Sequence, residues 1–383
     1  MSRLTYTTAG ESHGSCVLAQ IEGLPAGMRV PIELANALLK MRQGGYGRGG
    51  RQKIEKDEIE ILTGVLRGQT IGSPLVLRIA NRDARLDEAP PLHRPRPGHA
   101  DLAGAYKWLT DDCRPVLERA SARETAARTA AGAVAKALLA EFGIEACGFV
   151  VHLGGVDANV AVDQPLAEIA QRRDASAVYC PDSSVEEAMK QTIDEAKRAG
   201  DTVGGIFEVR MTGLPIGLGS CARREDRLDT RLAGAVMGIQ AVKGVEIGLG
   251  FRAASRRGSE VHDEIFYDEG KKETAAAGVR RGSNNAGGIE GGMTNGEMLV
   301  VRGAKKPIST LGKRLRSIDL RTKEASEAAY ERSDICALPA ASIIAEAVVC
   351  FEMAGAFLDK FGGDTMRETR ERWEAGQRFA KKL

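Results

Sequence analysis

The sequence predicts an α+β fold made of one compact body, residues 1–366, followed by a basic tail or helix, residues 367–383. Short strand-like runs and longer apolar helical segments alternate along the whole chain, and no low-complexity linker divides it. Of the 383 residues, 43% are hydrophobic and 28% are charged, with a net charge of only +2. This composition is typical of a folded globular protein and not of a disordered chain.

The first part of the chain predicts a helix, two strands and a longer helix, in that order. Residues 31–41 have the periodicity of a helix. The apolar runs 59–66 and 74–80 are separated by glycines and predict an antiparallel pair of strands. A capping-box sequence at 121–124 predicts the start of a helix that runs to residue 142.

The later part predicts a similar mixture. A second capping-box sequence, at 183–186, opens a helix that we expect to end near residue 198. Residues 205–212 indicate a strand, and residues 228–242 indicate an amphipathic helix. Residues 341–361 predict another long helix. Glutamates interrupt the apolar stretch that contains it, which favours a buried helix over a membrane span.

Glycine is the compositional outlier, with 45 residues, well above the roughly 7% that is usual. The glycines cluster at 44–50, 244–250 and 287–296 without the period of collagen. Such clusters are expected where the backbone must approach a ligand closely or adopt a positive φ.

Cysteine usage and the first residues indicate a cytoplasmic protein. The seven cysteines are scattered and contain no C-x-x-C spacing, which argues against a disulfide framework or a zinc site, so we expect no metal. The N-terminal segment lacks the apolar stretch of a secretory signal.

The segment 45–50 matches the G-x-G-x-x-G pattern, but we do not interpret it as a dinucleotide fingerprint. A helical segment precedes it, whereas that fingerprint needs a strand before the turn and a helix after it. What remains is a glycine-rich loop with four basic residues, which fits a solvated loop and an anion site about equally well. The basic residues are Arg42, Arg48, Arg51 and Lys53. Nucleic acid is less favoured because tyrosine is the only stacking group nearby.

Two of the five histidines lie in turns rich in glycine or proline. His13 lies within Gly-Glu-Ser-His-Gly, and His99 within Arg-Pro-Gly-His-Ala-Asp. Imidazole can donate a proton near neutral pH, and the glycines allow a ligand to come close, so both fit general acid catalysis. We expect His93, His152 and His262 to be ordinary surface or structural histidines.

Other polar clusters suggest that the ligand is anionic. Arg119 and Ser121 precede a helix, where backbone N–H groups favour an anion. The Gly/Asn loop 284–292 could lie against a planar ring, 306–310 offers a lysine and two hydroxyls, and 331–334 places an arginine beside a carboxylate. Each could also be an ordinary turn or cap. Together they predict a pocket for a multiply anionic ligand.

Five motifs in order give the chain a clear resemblance to the chorismate synthase family, from the first ten residues to about residue 360. They are Gly-Glu-Ser-His-Gly (10–14), Arg-Pro-Gly-His-Ala-Asp (96–101), Arg-Ala-Ser-Ala-Arg-Glu-Thr-Ala (119–126), Ala-Val-Lys-Gly-Val-Glu-Ile-Gly (241–248) and Gly-Gly-Ile-Glu-Gly-Gly (287–292).

The resemblance implies a lyase that converts 5-enolpyruvylshikimate-3-phosphate to chorismate and phosphate, the last step of the shikimate pathway. It implies reduced FMN as cofactor, with NADPH as an indirect electron source and a separate flavin reductase. It also implies a homotetramer and a β-α-β sandwich, with helices enclosed between antiparallel sheets. No nucleic acid or membrane partner is expected.

The resemblance also assigns site residues. The catalytic residues would be His13, His99 and Asp334, with the histidines as acids and Asp334 taking part in removal of the ring proton. The flavin would be bound by Arg119, Ala120, Ser121, Gln240, Ala241, Gly291, Lys306, Pro307, Ile308, Ser309, Thr310 and Arg332. Substrate or NADPH would be bound by Ser12, Arg42, Arg48 and Arg51. Two alternatives stay open, an FMN-dependent oxidoreductase with the same pocket and an RNA- or polyanion-binding module.

Overall fold

The computed structural model describes residues 4–49, 55–331 and 333–383. Within these ranges the helices are α1 (Ile32–Gln43), α2 (Asp101–Lys107), α3 (Arg114–Ala120), α4 (Thr125–Ala140), α5 (Leu166–Ala175), α6 (Glu186–Arg198), α7 (Leu228–Met237), α8 (Gly258–Val261), α9 (Leu338–Phe361) and α10 (Met366–Ala380). The strands are β1 (Thr5–Gly10), β2 (Cys16–Glu22), β3 (Glu60–Thr63), β4 (Val65–Leu66), β5 (Gln69–Thr70), β6 (Leu75–Ala80), β7 (Glu145–Leu153), β8 (Val156–Asp157), β9 (Gly205–Thr212), β10 (Val242–Ile247), β11 (Ile265–Tyr267), β12 (Val279–Arg281), β13 (Ile289–Glu290), β14 (Met293–Thr294), β15 (Leu299–Lys305), β16 (Arg316–Ile318) and β17 (Ala325–Glu327).

Two antiparallel sheets form the outer layers. One has four strands in the order β1-β2-β6-β3, and the other has five in the order β10-β15-β9-β7-β8. Short two-stranded ribbons account for the remaining strands of the described ranges. The predicted antiparallel pair is confirmed as β3 and β6 of the four-stranded sheet. Their register is irregular where Ile61 and Thr63 of β3 face Leu77 and Val76 of β6.

The helical layer lies between the two sheets. Helix α4 packs on β2 and β6 of one sheet, α9 packs on β7 and β9 of the other, and the two helices pack against each other. Their closest approach uses small residues, since a Cβ added at Gly132 of α4 would overlap Ala347 of α9. The structure therefore confirms the α+β class and the order sheet, helices, sheet that the resemblance implied.

Helix α9 is the centre of this core. By length and composition it could cross a membrane, but 94% of its most apolar 18-residue window is buried inside the protein. Its buried residues include Phe351 and Phe357, which contact other aromatic rings of the core. The prediction of a buried helix at 341–361 is confirmed, with a start at Leu338.

Three predicted details of the helices differ from the structure. Ser121 does cap a helix, but the capped element is the short 3₁₀ turn Ala122–Glu124, and the Glu124 side chain does not complete a capping box. Helix α6 begins at Glu186 with Val185 at its N-cap and no side-chain cap, and the Glu186 carboxylate accepts from the Ala177 N–H instead. Helix α7 ends at Met237, before Gly238, and the remaining predicted residues lead into β10.

The C-terminal tail is helix α10. Thr365 and Glu368 form its capping box, each bonding the other's backbone N–H. Trp373 lies against the rings of Phe142, Phe357 and Phe361, so one face of the tail is packed on the core. The division of the chain at residue 366 stays a prediction.

Candidate active site

The loop between β1 and β2 brings His13 against α3. Nδ1 of His13 lies 2.9 Å from Oε1 and 3.1 Å from Oε2 of Glu118, and the backbone N–H of His13 donates to Oε2 at 2.9 Å. The Glu118 side chain is 2% exposed. Burial raises the pKa of Glu118, but the hydrogen bonds from His13 and the charge of Arg114 outweigh burial and leave that pKa below its ordinary value. Nε2 of His13 lies 3.8 Å from Oδ2 of Asp83.

The end of α3 carries a group of predicted contacts to the same loop. Ser12 donates to the hydroxyl of Ser121 at 3.0 Å. Arg119 donates to the carbonyl oxygens of Thr8 and Gly10 at 3.0 and 3.2 Å, which ties it to the end of β1. The structure thus brings together one group of predicted residues: Ser12, His13, Arg119, Ala120 and Ser121.

Buried Glu124 connects this group to the segment before β10. Its carboxylate accepts from the Thr8 hydroxyl at 2.6 Å and from Nε2 of Gln240 at 3.1 Å. Ala241 follows Gln240 in the sequence, and its carbonyl oxygen accepts from the backbone N–H of Lys306 at 2.9 Å. Oε1 of Gln240 is buried and has no hydrogen-bond partner within the described residues.

His99 is held by a second buried carboxylate, Asp101 at the start of α2. Nδ1 of His99 lies 2.5 Å from Oδ1 of Asp101, whose side chain is 0% exposed. Arg96 donates to Asp101 from Nε at 2.8 Å and from Nη2 at 3.0 Å, and to the Thr310 hydroxyl from Nη1 at 3.0 Å. Burial raises the pKa of Asp101, but the hydrogen bonds from His99 and Arg96 outweigh burial and hold it well below its ordinary value.

The predicted flavin segment 306–310 lies beside the His99 turn. Nζ of Lys306 donates to the carbonyl oxygen of Gly98 at 2.5 Å. The carbonyl oxygen of Ile308 accepts from the Thr202 hydroxyl at 2.8 Å. Hydrogen bonds, together with peptide links between sequence neighbours, therefore connect His13 to His99, and we call the connected set the histidine wall. It includes Arg119, Glu124, Gln240 and Lys306. The same segment also contains Pro307 and Ser309.

Asp334 lies against the glycine-rich loop. Its Oδ2 accepts from Nη1 of Arg48 at 2.6 Å, and its Oδ1 accepts from the backbone N–H of Gly49 at 2.6 Å. Nε of Arg48 is buried without a hydrogen-bond partner in the described part of the chain. An aspartate from outside the loop and an incompletely bonded arginine on the loop therefore lie together.

Arg42 has a different environment from Arg48. It is 4% exposed, and its guanidinium donates to Thr125, Asp57 and the carbonyl oxygen of Ala122. Burial lowers its pKa to about 9, although Asp57 opposes this shift. Arg42 thus holds α1 against the start of α4, inside the protein. The predicted binding residues Arg51 and Arg332, and Lys53, lie outside the described residues.

Sequence reasoning missed a lysine at the end of β15. Burial lowers the pKa of Lys305 to about 8. The charges of Arg48 and Lys306 lower it further, while Cys336 and Asp334 raise it. A lysine beside the Arg48–Asp334 pair adds to the cationic character of this region. Its position at a strand end, with no glycine motif around it, gave no sequence signal.

Gly291 lies apart from the histidine wall. It turns the ribbon between β13 and β14, and the carbonyl oxygen of Gly292 accepts from Leu228 at the start of α7. Gln240 follows the other end of α7, whose ten residues span about 15 Å at 1.5 Å per residue. Within one chain, Gly291 is therefore separated from the other predicted flavin contacts.

The carboxylates that hold the two histidines were also missed. Asp101 belongs to the quoted motif around His99, two residues away, so its proximity could have been read from the sequence. Glu118 is 105 residues from His13, and only the fold brings them together. The described residues contain no group of three or more His, Cys, Asp or Glu side chains that could hold a metal ion.

Known proteins of one kind resemble this chain over its whole length. The family model described as chorismate synthase matches residues 4–358. A chorismate synthase of Desulforamulus reducens is 52% identical, covering 99% of this chain and 100% of that protein. One of Geobacter sulfurreducens is 55% identical, covering 97% and 98%. A crystal structure of chorismate synthase superimposes with a TM-score of 0.81 at 40% identity, covering 100% of both chains.

Proposed function

Because the chain belongs to the chorismate synthase family, we propose that it is a lyase that converts 5-enolpyruvylshikimate-3-phosphate to chorismate and phosphate at the histidine wall. This is the last step of the shikimate pathway, which supplies aromatic amino acids. The reaction is a 1,4-anti elimination. A ring C–H bond and the C–O bond to phosphate break, and the substrate undergoes no net oxidation or reduction.

The proposal rests on one observation: hydrogen bonds, together with the peptide links between sequence neighbours, connect His13 to His99. An imidazole near neutral pH can donate a proton and be reprotonated. One histidine would protonate the departing phosphate, and the other would donate to the cofactor. Each histidine is fixed by a buried carboxylate, so its ring would keep its orientation while ligands bind.

Asp334 and Arg48 would act together on the substrate. The contacts of Asp334 to Arg48 and to the Gly49 N–H fix both carboxylate oxygens, which orients Asp334 for its part in removing the ring proton. Arg48 and Lys305 would neutralise the anionic groups of the substrate, which carries a phosphate and two carboxylates. Arg42 would support the loop and not contact the ligand.

The residues present fit a flavin cofactor, which we propose to be reduced FMN. The unpartnered Oε1 of Gln240 could accept from a ring N–H, while Arg119, Ser121 and Lys306 offer donors to ring oxygens or phosphate. When bound, reduced FMN would lend electron density to the allylic system of the substrate. The other proposed contacts are Ala120, Ala241 and 307–310.

The finer properties of the family are proposed here too. We expect a homotetramer in the cytoplasm that receives reduced flavin from a separate reductase, with NADPH as the indirect electron source. The separation of Gly291 from Gln240 along α7 is accommodated if the β13–β14 ribbon of a neighbouring copy approaches the pocket.

The decisive experiment is an anaerobic assay of phosphate release from 5-enolpyruvylshikimate-3-phosphate with reduced FMN. We expect many phosphates per flavin, with the flavin still reduced at the end. Stoichiometric oxidation of the flavin would instead indicate the alternative oxidoreductase. A protein that binds RNA with a steep salt dependence and releases no phosphate would indicate the polyanion-binding alternative.

Substitution of the two histidines tests their roles within that assay. His13→Ala and His99→Ala should each lower turnover by roughly 10²–10⁴-fold, as is typical for loss of a general acid. His152→Ala is the matched control, since the imidazole of His152 contacts the exposed Asp157 and not a buried carboxylate. Turnover near that of the control in either variant would refute the role given to that histidine.

A further inference from the structure

Within the described ranges, the Nδ1 of a histidine lies within hydrogen-bond distance of a carboxylate at three places, but two of the three carboxylates are buried and one is exposed. The Nδ1–oxygen distances are 2.9 Å for His13, 2.5 Å for His99 and 2.7 Å for His152. Glu118 and Asp101 are 2% and 0% exposed, whereas Asp157, the partner of His152, is 86% exposed. The two buried contacts are those of the histidine wall.

Each buried carboxylate is also fixed by contacts beyond its histidine. Oε2 of Glu118 accepts from the backbone N–H of His13, so one carboxylate holds this residue by ring and backbone. Asp101 accepts from the backbone N–H, Nε and Nη2 of Arg96. Neither carboxylate can rotate away without losing a buried hydrogen bond.

The protonation of each carboxylate determines which ring nitrogen carries hydrogen. Hydrogen bonds to Glu118 and Asp101 outweigh burial and hold both pKa values below their ordinary ranges, so both groups are carboxylates at neutral pH and only accept. If Nδ1 carried no hydrogen, its lone pair would face a lone pair of the carboxylate oxygen, and the two would repel each other. Nδ1 must therefore carry the hydrogen in each ring.

Arg96 does not alter this assignment. Its Nη2 lies 3.0 Å from Nδ1 and 3.4 Å from Nε2 of His99, and because a guanidinium nitrogen only donates, this contact alone would favour a bare ring nitrogen. Both groups instead converge on Oδ1 of Asp101, at 3.0 Å from Nη2 and 2.5 Å from Nδ1.

We propose that Glu118 and Asp101 are positioning residues, each of which keeps a hydrogen on Nδ1 of its histidine so that Nε2 is the nitrogen that exchanges a proton with a ligand. This inference rests on the proposed function for its catalytic meaning. Neither carboxylate touches the ligand in this scheme. Loss of either carboxylate should lower kcat, because the histidine ring would adopt the wrong tautomer or rotate. KM should stay nearly unchanged.

The first test is the ring tautomer itself, measured by solid-state ¹⁵N NMR of protein labelled at its five histidines. Signals are assigned with single His→Gln variants. We expect His13 and His99 to carry hydrogen on Nδ1 in the wild type. Glu118→Gln and Asp101→Asn should each produce a mixture of tautomers at the affected histidine only. An Nε2–H tautomer for both rings in the wild type would overturn the proposal.

The second test is kinetic and uses Asp157→Asn as the matched control. Glu118→Gln and Asp101→Asn should lower kcat by ~10²–10⁴-fold with KM changed less than ~3-fold, while the control stays at wild-type values. Values of kcat near that of the control in both variants would refute the proposal. If Asp101→Asn fails to fold because Arg96 loses its buried partner, Glu118→Gln decides alone.

The two proposals fail in different ways. A wild type that releases no phosphate with reduced FMN would refute the proposed function, but the NMR measurement would still decide the tautomers. An active wild type would retain the proposed function, and the positioning role would be refuted if the kcat of Glu118→Gln, and of Asp101→Asn where it folds, matched that of Asp157→Asn.

Discussion

Two charged clusters flank the start of α9, and they differ in how completely their polar atoms are bonded. Within the helix, Oε2 of Glu346 accepts from the Gly148 N–H at 2.7 Å and from Arg173 at 2.8 Å, while Oε1 accepts from Lys136. The Glu346 side chain is 0% exposed. Just before the helix, Arg48 and Asp334 are paired, but Nε of Arg48 is buried without a partner in the described ranges.

The difference indicates what each cluster does. In the Glu346 cluster no buried side-chain nitrogen or oxygen lacks a partner within the described residues, and Lys136 and Arg173 also donate to the carbonyl oxygens of Ala146 and Gly148. We call it the saturated cluster, and it joins α4, α5 and α9 across the core. Arg48 lies on a glycine-rich loop, and its Nε has no partner among the described residues. An unused buried donor therefore distinguishes the Arg48–Asp334 pair from the Glu346 cluster.

The largest effect should follow from loss of the Asp334 charge. Asp334→Asn keeps an acceptor for the Gly49 N–H but removes the carboxylate, so phosphate release should fall by roughly 10²–10⁴-fold. The midpoint of thermal unfolding should change little. Asp359→Asn is the control, because Asp359 pairs with Arg231 away from the site. Turnover of Asp334→Asn within a few-fold of the control would contradict the assignment.

The saturated cluster should show the opposite pattern. Glu346→Gln removes the buried charge that pairs with buried Arg173 and half-buried Lys136, so the free energy of unfolding should fall by about 3–5 kcal/mol. Turnover per folded enzyme should be retained. Urea titration gives the stability, and the anaerobic assay on folded protein gives the turnover. A stable variant without activity would show that Glu346 belongs to the site instead.

The pH dependence of stability distinguishes the clusters further. Burial raises the pKa of Glu346, but Lys136 and Arg173 outweigh burial and leave it below its ordinary value of 4.5. A carboxyl with a lowered folded pKa stabilises the protein fully above its unfolded pKa, and this contribution is lost as the pH falls through the folded pKa. The stability gap between wild type and Glu346→Gln should therefore be largest above about pH 4.5 and should shrink below it.

The sequence was informative where a local pattern carries the structure. The helical periodicity of 31–41 and 341–361 reflects burial of one stretch of chain and was confirmed by α1 and α9. The capping sequence at 183–186 was misleading, because the helix begins two residues later than the pattern indicates and the Glu186 carboxylate accepts from the Ala177 N–H. A local pattern cannot reveal which of several nearby groups a polar side chain will bond.

The sequence predicted the site residues that belong to local motifs, but it did not predict which residues distant in sequence contact them. His13, His99 and Arg119 were found from turns and caps. Glu118 and Glu346 were not, since their partners lie 105 and as many as 210 residues away in sequence. A single sequence does not show which residues far apart in the chain are in contact. These buried ion pairs could therefore be identified only from the packed arrangement of the two sheets and the helical layer.

The smallest effect concerns the backbone that carries Arg48. Gly47 has a φ of +87°, and an added Cβ would lie 2.9 Å from Ile193 and 3.0 Å from Cβ of Cys336. Gly27 has a φ of +86° but open space around the Cβ position. The two glycines therefore form a matched pair that separates backbone strain from displacement of the loop.

Both alanine variants should lose about 1–2 kcal/mol of unfolding free energy from the left-handed backbone conformation. Gly47→Ala should lose a further ~1 kcal/mol, because the methyl group must displace the loop from the core. The same displacement moves Arg48 relative to Asp334, so KM for the substrate should rise several-fold in Gly47→Ala and not in Gly27→Ala. Urea titration and steady-state kinetics measure the two effects. Equal KM values in both variants would mean that the loop tolerates the displacement, and that its contact with Cys336 does not position Arg48.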